Sequence, residues 1–158
     1  MLVYHTSDVQ LNIPDTVHSR GNLDFGRGFY TTRLKEQAIK YGERFVALGH
    51  DAYLHTFDYT TCSNLRIKTF DSYDEEWLRF VCSCRKGGTE YEQFDIIEGG
   101  VANDKVYRTV DFFMAGIYTL EQALQQLVYH KPNHQICFIT QKAIDLCLRL
   151  SDCRKLNI

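Results

Sequence analysis

The sequence lacks the features that mark several large classes of protein. It has only two prolines among 158 residues and no low-complexity tract, which excludes disorder as its main state. No hydrophobic run approaches the roughly 18 residues of a membrane span, and the N-terminus has neither the basic region nor the long apolar stretch of a secretory signal. We therefore expect a cytoplasmic protein that does not enter a membrane.

A metal centre or disulfide framework is also not expected. The six cysteines include no Cys-x-x-Cys pair. Cys82 and Cys84 lie two residues apart on a predicted helix, a spacing that turns them to different faces and suits zinc poorly. His130 and His134 have Pro132 between them, so they cannot form a helical metal pair. Reduced, partly buried thiols are the interpretation that remains.

The sequence also has no large excess of positive or negative charge. Eighteen Lys and Arg nearly balance twenty Asp and Glu, giving a formal net charge of −2 without a long basic or acidic block. A protein that binds nucleic acid mainly through phosphate contacts is usually basic. This balance disfavours that class.

What the chain does contain suits one filled core. Hydrophobic residues make up 44% of the sequence and aromatic residues 13%. No repeat or linker divides the chain, so we predict a single domain over residues 1–158. Short strand patterns mix with helical patterns without regular β-α-β alternation, which predicts an α+β fold.

Hydrophobic periodicity gives approximate positions for these elements. Strands are predicted at residues 2–4, 29–31, 53–57, 65–67, 94–97 and 135–139. Helices are predicted at residues 34–48, from a capping box at Ser72 and Glu75 to about residue 87, at 106–115, at 120–129 and at 141–150. The helix at 120–129 also opens with a capping box, at Thr119 and Gln122. The stretch from residue 7 to residue 28 has no sustained period and is predicted to be a long loop, which in compact domains is commonly functional.

Three segments carry residues suited to chemistry. They are Tyr-His-Thr-Ser at 4–7, Asp-Phe-Gly-Arg-Gly-Phe-Tyr-Thr-Thr at 24–32 and Asn-His-Gln-Ile-Cys-Phe at 133–138. The glycine-rich segment is neither a phosphate loop nor a dinucleotide fingerprint, because it lacks the Gly-Lys-Ser/Thr end and the third glycine. Taken alone, its glycines predict only a turn.

In order and spacing these segments resemble the ADP-ribosyltransferase superfamily of the diphtheria-toxin and poly(ADP-ribose)-polymerase type. The signature of that superfamily is His, Tyr and Glu on three separate strands. More narrowly, the chain resembles the bacterial domain-of-unknown-function family 3990, in which a Tyr-His-Gly/Thr-Ser start, a Phe-Gly-x-Gly-Phe-Tyr-x-Thr centre and an Asn-x-Gln-Ile-x-Phe end recur. The likeness covers nearly the whole chain. It implies two small mixed or antiparallel sheets, split around an NAD cleft, with helices outside.

The resemblance also implies the residues of an NAD site. His5, Tyr30 and Gln135 take the three signature positions, so that His5 would bind an NAD ribose and Gln135 would position the nicotinamide ribose. Tyr30 and Tyr41 would hold the nicotinamide ring between them, and the backbone of Thr6 would pair with its carboxamide. From periodicity alone, Tyr41 is instead a core residue on the apolar stripe of its helix.

Two loops supply the remaining predicted contacts. Arg20, Arg27 and Gly28 lie in or beside the long loop, where the arginines would reach the NAD diphosphate. Asn103 and Asp104 lie in a second stretch that resembles the narrower family, and they are predicted to bind the acceptor or to take part in catalysis. The alternative for Asp104 is a helix N-cap.

The third signature position departs from the superfamily, because Gln135 stands where catalytically strong members have Glu. A carboxylate beside the sugar stabilises the positive charge that develops there by about 4 kcal/mol at an effective dielectric of about 20. An amide offers only a dipole and cannot act as a general base. Polymer elongation is therefore not expected.

The resemblance thus implies mono-ADP-ribosyl transfer from NAD to a macromolecular acceptor, with release of nicotinamide and without a metal. It also implies a toxin-type effector with a small antitoxin-like partner. Three alternatives stay open: an NAD glycohydrolase, a catalytically weak module that binds NAD or ADP-ribose, and an interaction domain unrelated to NAD.

Overall fold

The computed structural model describes all residues, 1–158, and confirms the α+β class. Seven strands form two small sheets, and five α-helices pack around them. The strands are β1 (Leu2–Ser7), β2 (Phe29–Thr31), β3 (Tyr53–Tyr59), β4 (Ile67–Thr69), β5 (Ile96–Gly99), β6 (Gln135–Phe138) and β7 (Leu148–Lys155). The helices are α1 (Lys35–Ala47), α2 (Glu75–Arg85), α3 (Asp104–Met114), α4 (Leu120–Leu127) and α5 (Gln141–Cys147). None of these helices has the length and apolar character needed to cross a membrane.

The two sheets are joined by backbone hydrogen bonds at one bridge. The first has the strand order β1-β3-β7 and is antiparallel throughout. The second has the order β2-β6-β5-β4, in which only the β4–β5 pair is parallel. A single antiparallel bridge between Tyr4 and Thr32 connects β1 to the end of β2.

The hydrophobic core consists of two clusters on opposite faces of the second sheet. A cluster of ten buried residues combines both sheets, with Val3 and Phe57 from one and Phe138 from the other. A cluster of sixteen buried residues packs α2, α3 and α4 around Trp77 and against Cys137. Side chains alternate between the faces of a strand, so the neighbours Cys137 and Phe138 contribute to different clusters.

Two helix starts test the capping motifs. The predicted box at Thr119 and Gln122 is present, with both reciprocal hydrogen bonds. The predicted box at Ser72 is wrong, because the cap of α2 lies two residues later, at Asp74, whose carboxylate accepts the Trp77 N–H at 2.9 Å. Asp is as good an N-cap as Ser, so the capping preference alone does not choose between the two residues.

The end of the chain differs most from the prediction. The predicted helix at residues 141–150 ends at Cys147, and Leu148–Lys155 is a strand that pairs with β3. Leu148 and Leu150 fit a helical stripe as well as a strand alternation, so the local pattern was ambiguous. Pairing with a strand roughly ninety residues earlier decides the matter, and local periodicity carries no information about it.

Helix α1 shows that the core prediction for Tyr41 is wrong. Only Ala38 and Gly42 are buried on this helix, and Tyr41 is 39% exposed. The helix packs through small residues, since a Cβ at Gly42 would lie 3.1 Å from Thr6 Cγ2. The contact with β1 is therefore close and narrow, and it leaves larger side chains of the stripe outside. The loop predicted between β1 and β2 contains no helix or strand, as expected.

Candidate functional site

Strands β1 and β2 separate beyond their single bridge. Tyr4 and Thr32 exchange two backbone hydrogen bonds of 2.8 and 2.9 Å. In a continuing antiparallel ladder, Thr6 and Tyr30 would form the next such pair. The strands instead belong to different sheets, and His5 Nδ1 bonds the Tyr30 carbonyl oxygen at 2.6 Å. We call the opening bordered by His5, Thr6 and Tyr30 the β1–β2 gap.

The hydrogen bond to Tyr30 fixes the tautomer of His5. A carbonyl oxygen only accepts, so Nδ1 carries the proton and Nε2 presents a lone pair. Burial lowers the pKa of His5 from 6.5 to about 4, so the ring is neutral at physiological pH. Nε2 has no hydrogen-bond partner. Every side-chain nitrogen or oxygen that is sealed from solvent does have a partner, so Nε2 is open to solvent. His5 thus offers one free acceptor.

His5 is held in place by aromatic neighbours. Its ring lies 4.4 Å from the Phe29 ring and 6.0 Å from the ring of His55, its cross-strand partner on β3. His55 is fully buried, and its Nε2 accepts the Leu11 N–H at 2.9 Å. Burial lowers the pKa of His55 too. Two neutral histidines therefore connect β1, β3 and the start of the long loop.

Thr6 turns its backbone towards the gap. The β1–β3 register runs without interruption, so alternate residues of β1 direct their N–H and C=O groups to the same edge. Tyr4 directs its groups to Thr32, and Thr6 therefore directs its own to the same side. The Thr6 hydroxyl donates to the Ala38 carbonyl at 2.6 Å and fixes α1 on this strand. A donor and an acceptor side by side suit a planar amide.

Tyr30 contributes its backbone carbonyl to the gap, while its ring packs against the larger core cluster and its hydroxyl is already used. The hydroxyl donates to the Gly26 carbonyl at 2.6 Å and accepts the Phe25 N–H at 3.0 Å. Burial raises the pKa of Tyr30 well above its usual value, so the phenol stays protonated. Tyr30 therefore stabilises the glycine-rich turn from within.

Tyr41 lies on the exposed side of α1. Its ring contacts Phe45, at 5.6 Å between centroids, and the Arg44 guanidinium, at 4.9 Å. The structure thus keeps Tyr41 on the helix that packs against Thr6, but it does not bring the Tyr41 and Tyr30 rings into contact. As they stand, the two rings form no closed slot.

Gln135 has one end of its amide fixed. The side chain is buried, and Nε2 donates to the Gly100 carbonyl at 3.2 Å. Oε1 has no partner and, like His5 Nε2, is open to solvent. Gln135 is two residues before Cys137, the partner of Tyr30 in the sheet, so Gln135 and Tyr30 share a face. The residue presents an oxygen rather than an N–H.

The glycine-rich segment owes its glycines to packing. A Cβ at Gly28 would lie 2.5 Å from Cys137 Sγ and 2.7 Å from the Phe138 carbonyl oxygen, so no larger residue fits against β6. The Gly28 N–H donates to Ser19 Oγ at 3.1 Å and is not free for a ligand. Arg20 and Arg27 are both exposed, with no ion pair.

The chain matches the family described as "Protein of unknown function (DUF3990)" over residues 1–150. It belongs to this family. The narrower of the two resemblances is therefore confirmed, and the resemblance of the DUF3990 chain to the ADP-ribosyltransferase superfamily stays a prediction. No curated protein and no solved structure matches it.

The second predicted loop of the DUF3990 chain is only partly as expected. Asp104 is not an N-cap: it is the first residue of α3, exposed and without an ion pair, with a left-handed φ of 49°. Asn103 takes the cap position without a side-chain hydrogen bond. The left-handed conformation is uncommon outside glycine, although Asp tolerates it better than most residues. Asp104 therefore stands free at a helix start.

A carboxylate that the sequence did not single out lies on the opposite face of the second sheet. Glu98 Oε1 accepts from His134 Nε2 at 2.8 Å and from Arg33 Nη2 at 2.9 Å. The hydrogen bond from His134 lowers the pKa of Glu98. The only available signal was a lone acid in the apolar strand pattern Ile-Ile-Glu-Gly. Because Glu98 accepts from both partners, one of them a guanidinium, it is not a free base.

Two grooves of the DUF3990 protein do not coincide with this site. These grooves, of about 450 and 660 Å³, lie on the helical side, one along the end of α4 and one between the ends of α2 and α3. None of the predicted site residues lines either groove. No group of three His, Cys, Asp or Glu side chains is placed to hold a metal ion.

Proposed function

We propose that the protein transfers a single ADP-ribosyl unit from NAD to a macromolecular acceptor and releases nicotinamide. One observation carries this proposal: the β1–β2 gap is bordered by polar groups that the fold leaves without partners. The unpaired side-chain acceptor of His5 is open to solvent and is therefore available to a ligand. A gap with an imidazole acceptor and a free strand edge is suited to a ligand that has hydroxyl donors and an amide.

The groups around the gap match NAD in kind. His5 Nε2 accepts a hydrogen bond from a ribose hydroxyl, since its lone pair is free. The backbone of Thr6 pairs with the nicotinamide carboxamide through one donor and one acceptor. Tyr30 borders the ring from β2, and Tyr41 covers it from α1 after a rotation of its exposed side chain. Stacking on an aromatic ring contributes about 0.5–1.5 kcal/mol beyond the burial of area.

Gln135 acts on the charge that develops on the sugar. Cleavage of the bond between nicotinamide and ribose makes the ribose carbon positive, and the free Oε1 presents the negative end of the amide dipole. The fixed Nε2 means that this dipole is oriented before the reaction, so little reorganisation is needed. A dipole stabilises the cation less than a carboxylate would, which predicts slow turnover.

Asp104 is the carboxylate proposed to meet the acceptor. It is exposed and unpaired, whereas Glu98 is paired with Arg33 and His134. From the resemblance to the narrower family, the protein is proposed to be a toxin-type effector with a small antitoxin-like protein as its partner. Arg20 and Arg27 are exposed near the glycine-rich turn and are proposed to contact the diphosphate.

A second candidate is NAD binding with hydrolysis or with no reaction. It is favoured by the neutral amide of Gln135, which can hold a ribose but cannot deprotonate an acceptor. In that case either water is the acceptor of the ADP-ribosyl group or no transfer takes place.

The test uses NAD labelled separately in its nicotinamide and adenosine parts, added to the purified protein with and without cell extract. Release of nicotinamide with label on a macromolecule supports transfer. Free ADP-ribose selects the hydrolase, and binding without turnover selects the module. His5→Ala should abolish each signal, while His18→Ala, a matched change at a histidine on the exposed loop, should leave each intact. Absence of NAD binding by the wild-type protein would contradict the proposal.

A further inference from the structure

The orientation of Gln135 depends on one carbonyl group in the segment between β5 and α3. Gly100 O accepts from Gln135 Nε2 at 3.2 Å and also from Trp77 Nε1 at 3.1 Å. If this carbonyl turned away, nothing would keep the Gln135 amide from rotating and presenting its N–H₂ to the gap. We call residues Gly100 to Ala102 the 100–102 segment.

The far end of this segment is anchored by a charge from the glycine-rich region. The Ala102 N–H donates to Asp24 Oδ2 at 2.9 Å. Val101, between the two anchors, is held by Tyr73, whose hydroxyl donates to its carbonyl at 2.7 Å. Trp77 and Tyr73 both come from the α2 region, so Asp24 is the anchor that connects the segment to the β1–β2 side of the molecule.

Arg85 balances the charge of Asp24. Its Nε and Nη2 donate to Asp24 Oδ1 at 2.9 and 2.7 Å, and the two side chains are only 10% and 11% exposed. The guanidinium also lies 4.3 Å from the centre of the Tyr107 ring and 3.6 Å from Asp111, both on α3. The two parallel hydrogen bonds fix the relative orientation of the guanidinium and the carboxylate. Because the pair is buried, loss of either partner would leave the charge of the other uncompensated.

The same aspartate adjoins the turn that Tyr30 holds. Asp24 directly precedes Phe25 and Gly26, whose N–H and C=O groups bond the Tyr30 hydroxyl. One carboxylate therefore lies between two residues of the proposed NAD site: Tyr30 on one side and Gln135, through the 100–102 segment, on the other. Neither Asp24 nor Arg85 reaches the gap itself.

We propose that Asp24 and Arg85 are positioning residues that hold the 100–102 segment so that Gln135 presents Oε1, and not its N–H₂, to the sugar of NAD. This inference rests on the proposed function. It goes beyond the signature residues, because no motif of the chain marks Arg85 and because the effect is transmitted through a backbone segment. It predicts a loss in the bond-breaking step with little change in NAD affinity.

Asp24→Asn is the variant that tests it. The amide keeps the shape of the carboxylate but pairs weakly with Arg85, so kcat for nicotinamide release should fall about tenfold or more while KM for NAD changes by less than about twofold. The matched control is Asp95→Asn. Asp95 is equally buried, accepts the Arg66 backbone N–H and guanidinium, and lies at the other end of β5. The control should lose stability and keep kcat within about twofold.

Two further measurements keep the test decisive if Asp24→Asn folds poorly. Arg85→Lys keeps the positive charge but loses the paired hydrogen bonds of the guanidinium, so it should also lower kcat, by a smaller factor than Asp24→Asn. The side-chain amide NMR signals of Gln135, assigned by their loss in Gln135→Met, should shift or broaden in Asp24→Asn and in Arg85→Lys but not in Asp95→Asn.

The outcomes separate this inference from the proposed function. Equal losses of kcat in Asp24→Asn and Asp95→Asn would overturn the positioning role. If the wild-type protein neither binds NAD nor releases nicotinamide, the proposed function fails and the NMR signals alone decide the positioning. In that case, Gln135 signals that are unchanged in Asp24→Asn overturn it, and signals that change only in the Asp24 and Arg85 variants support it.

Discussion

The β1–β2 gap and the 100–102 segment differ in whether their polar groups have hydrogen-bond partners. In the gap, His5 Nε2 has no partner and the backbone of Thr6 faces an opening. In the 100–102 segment, side chains from elsewhere bond the Gly100 carbonyl and the Ala102 N–H. The satisfied segment serves the structure, whereas the gap, whose free acceptor on His5 is open to solvent, is where we propose that a ligand binds.

The largest effect on stability is therefore expected on the side of the satisfied segment. Trp77→Ala removes a fully buried indole from the larger core cluster, together with its hydrogen bond to Gly100. It should lower the free energy of unfolding by about 3–5 kcal/mol, as measured by urea denaturation. Tyr129→Ala, at an aromatic residue that is 83% exposed, is the control and should cost less than about 0.5 kcal/mol. Similar losses in both would mean that the core does not hold this segment.

Gln135→Glu probes the border between the two regions. The superfamily pattern suggests that a carboxylate should improve catalysis. In this fold, however, the change replaces the N–H that bonds Gly100 with an oxygen facing an oxygen. We expect a loss of about 1–3 kcal/mol in the free energy of unfolding and a raised pKa for the new carboxyl group. Urea denaturation at pH 5 and pH 8 measures both. A variant that is as stable as the wild type at both pH values would show that the Gly100 bond is unimportant.

The neutral histidines His5 and His55 predict an acid-sensitive stability. The pKa of His5 is lowered from 6.5 to about 4, so between these pH values the unfolded chain binds more protons than the folded one. Stability should therefore be fully present above pH 6.5 and fall with decreasing pH, by up to about 1.4 kcal/mol per pH unit for each such histidine.

His5→Gln should flatten this part of the pH profile. Asp95→Asn should not, because the pKa of Asp95 is lowered to about 2 and its contribution is lost only in more acidic solution. Urea midpoints between pH 7 and pH 4 measure the slope. An unchanged slope in His5→Gln would mean that His5 is not held neutral by burial.

The smallest expected effect concerns Tyr41, which is exposed on the helix that packs against Thr6 and does not contribute to the core. Tyr41→Ala should change the free energy of unfolding by no more than about 0.5 kcal/mol. It should weaken NAD binding by about 0.5–1.5 kcal/mol, the value of one aromatic contact, as measured by calorimetry. Phe45→Ala, its neighbour on α1, is the matched control. Equal weakening in both variants would remove Tyr41 from the site.

Local patterns predicted the strands that carry Tyr30 and Gln135, the long loop, and a first strand at residues 2–4 that the structure extends past His5 to Ser7. They could not show how these residues are oriented. The tautomer of His5 depends on a carbonyl 25 residues away, and the free end of Gln135 depends on Gly100, 35 residues away. The gap itself is a missing stretch of ladder, and the sequence of neither strand indicates which hydrogen bonds will not form.

Long-range pairing also explains the elements that were predicted wrongly. Strand β7 carries a pattern that fits a helix, and only its pairing with β3 selects the strand. Tyr41 fits the apolar stripe of α1, but close packing at Gly42 leaves it exposed. In both cases the local preference was weak, and tertiary contacts determined the result.

The claim that the β1–β2 gap binds the nicotinamide end of NAD is tested most directly by backbone amide NMR. NAD is titrated into the ¹⁵N-labelled wild-type protein and into His5→Ala. We predict saturable shifts of the Thr6 and Tyr30 amides in the wild type, with the 100–102 segment following, and a loss of saturation in His5→Ala. Absence of any shift at Thr6 and Tyr30 at millimolar NAD, or equal shifts in both proteins, would contradict the account.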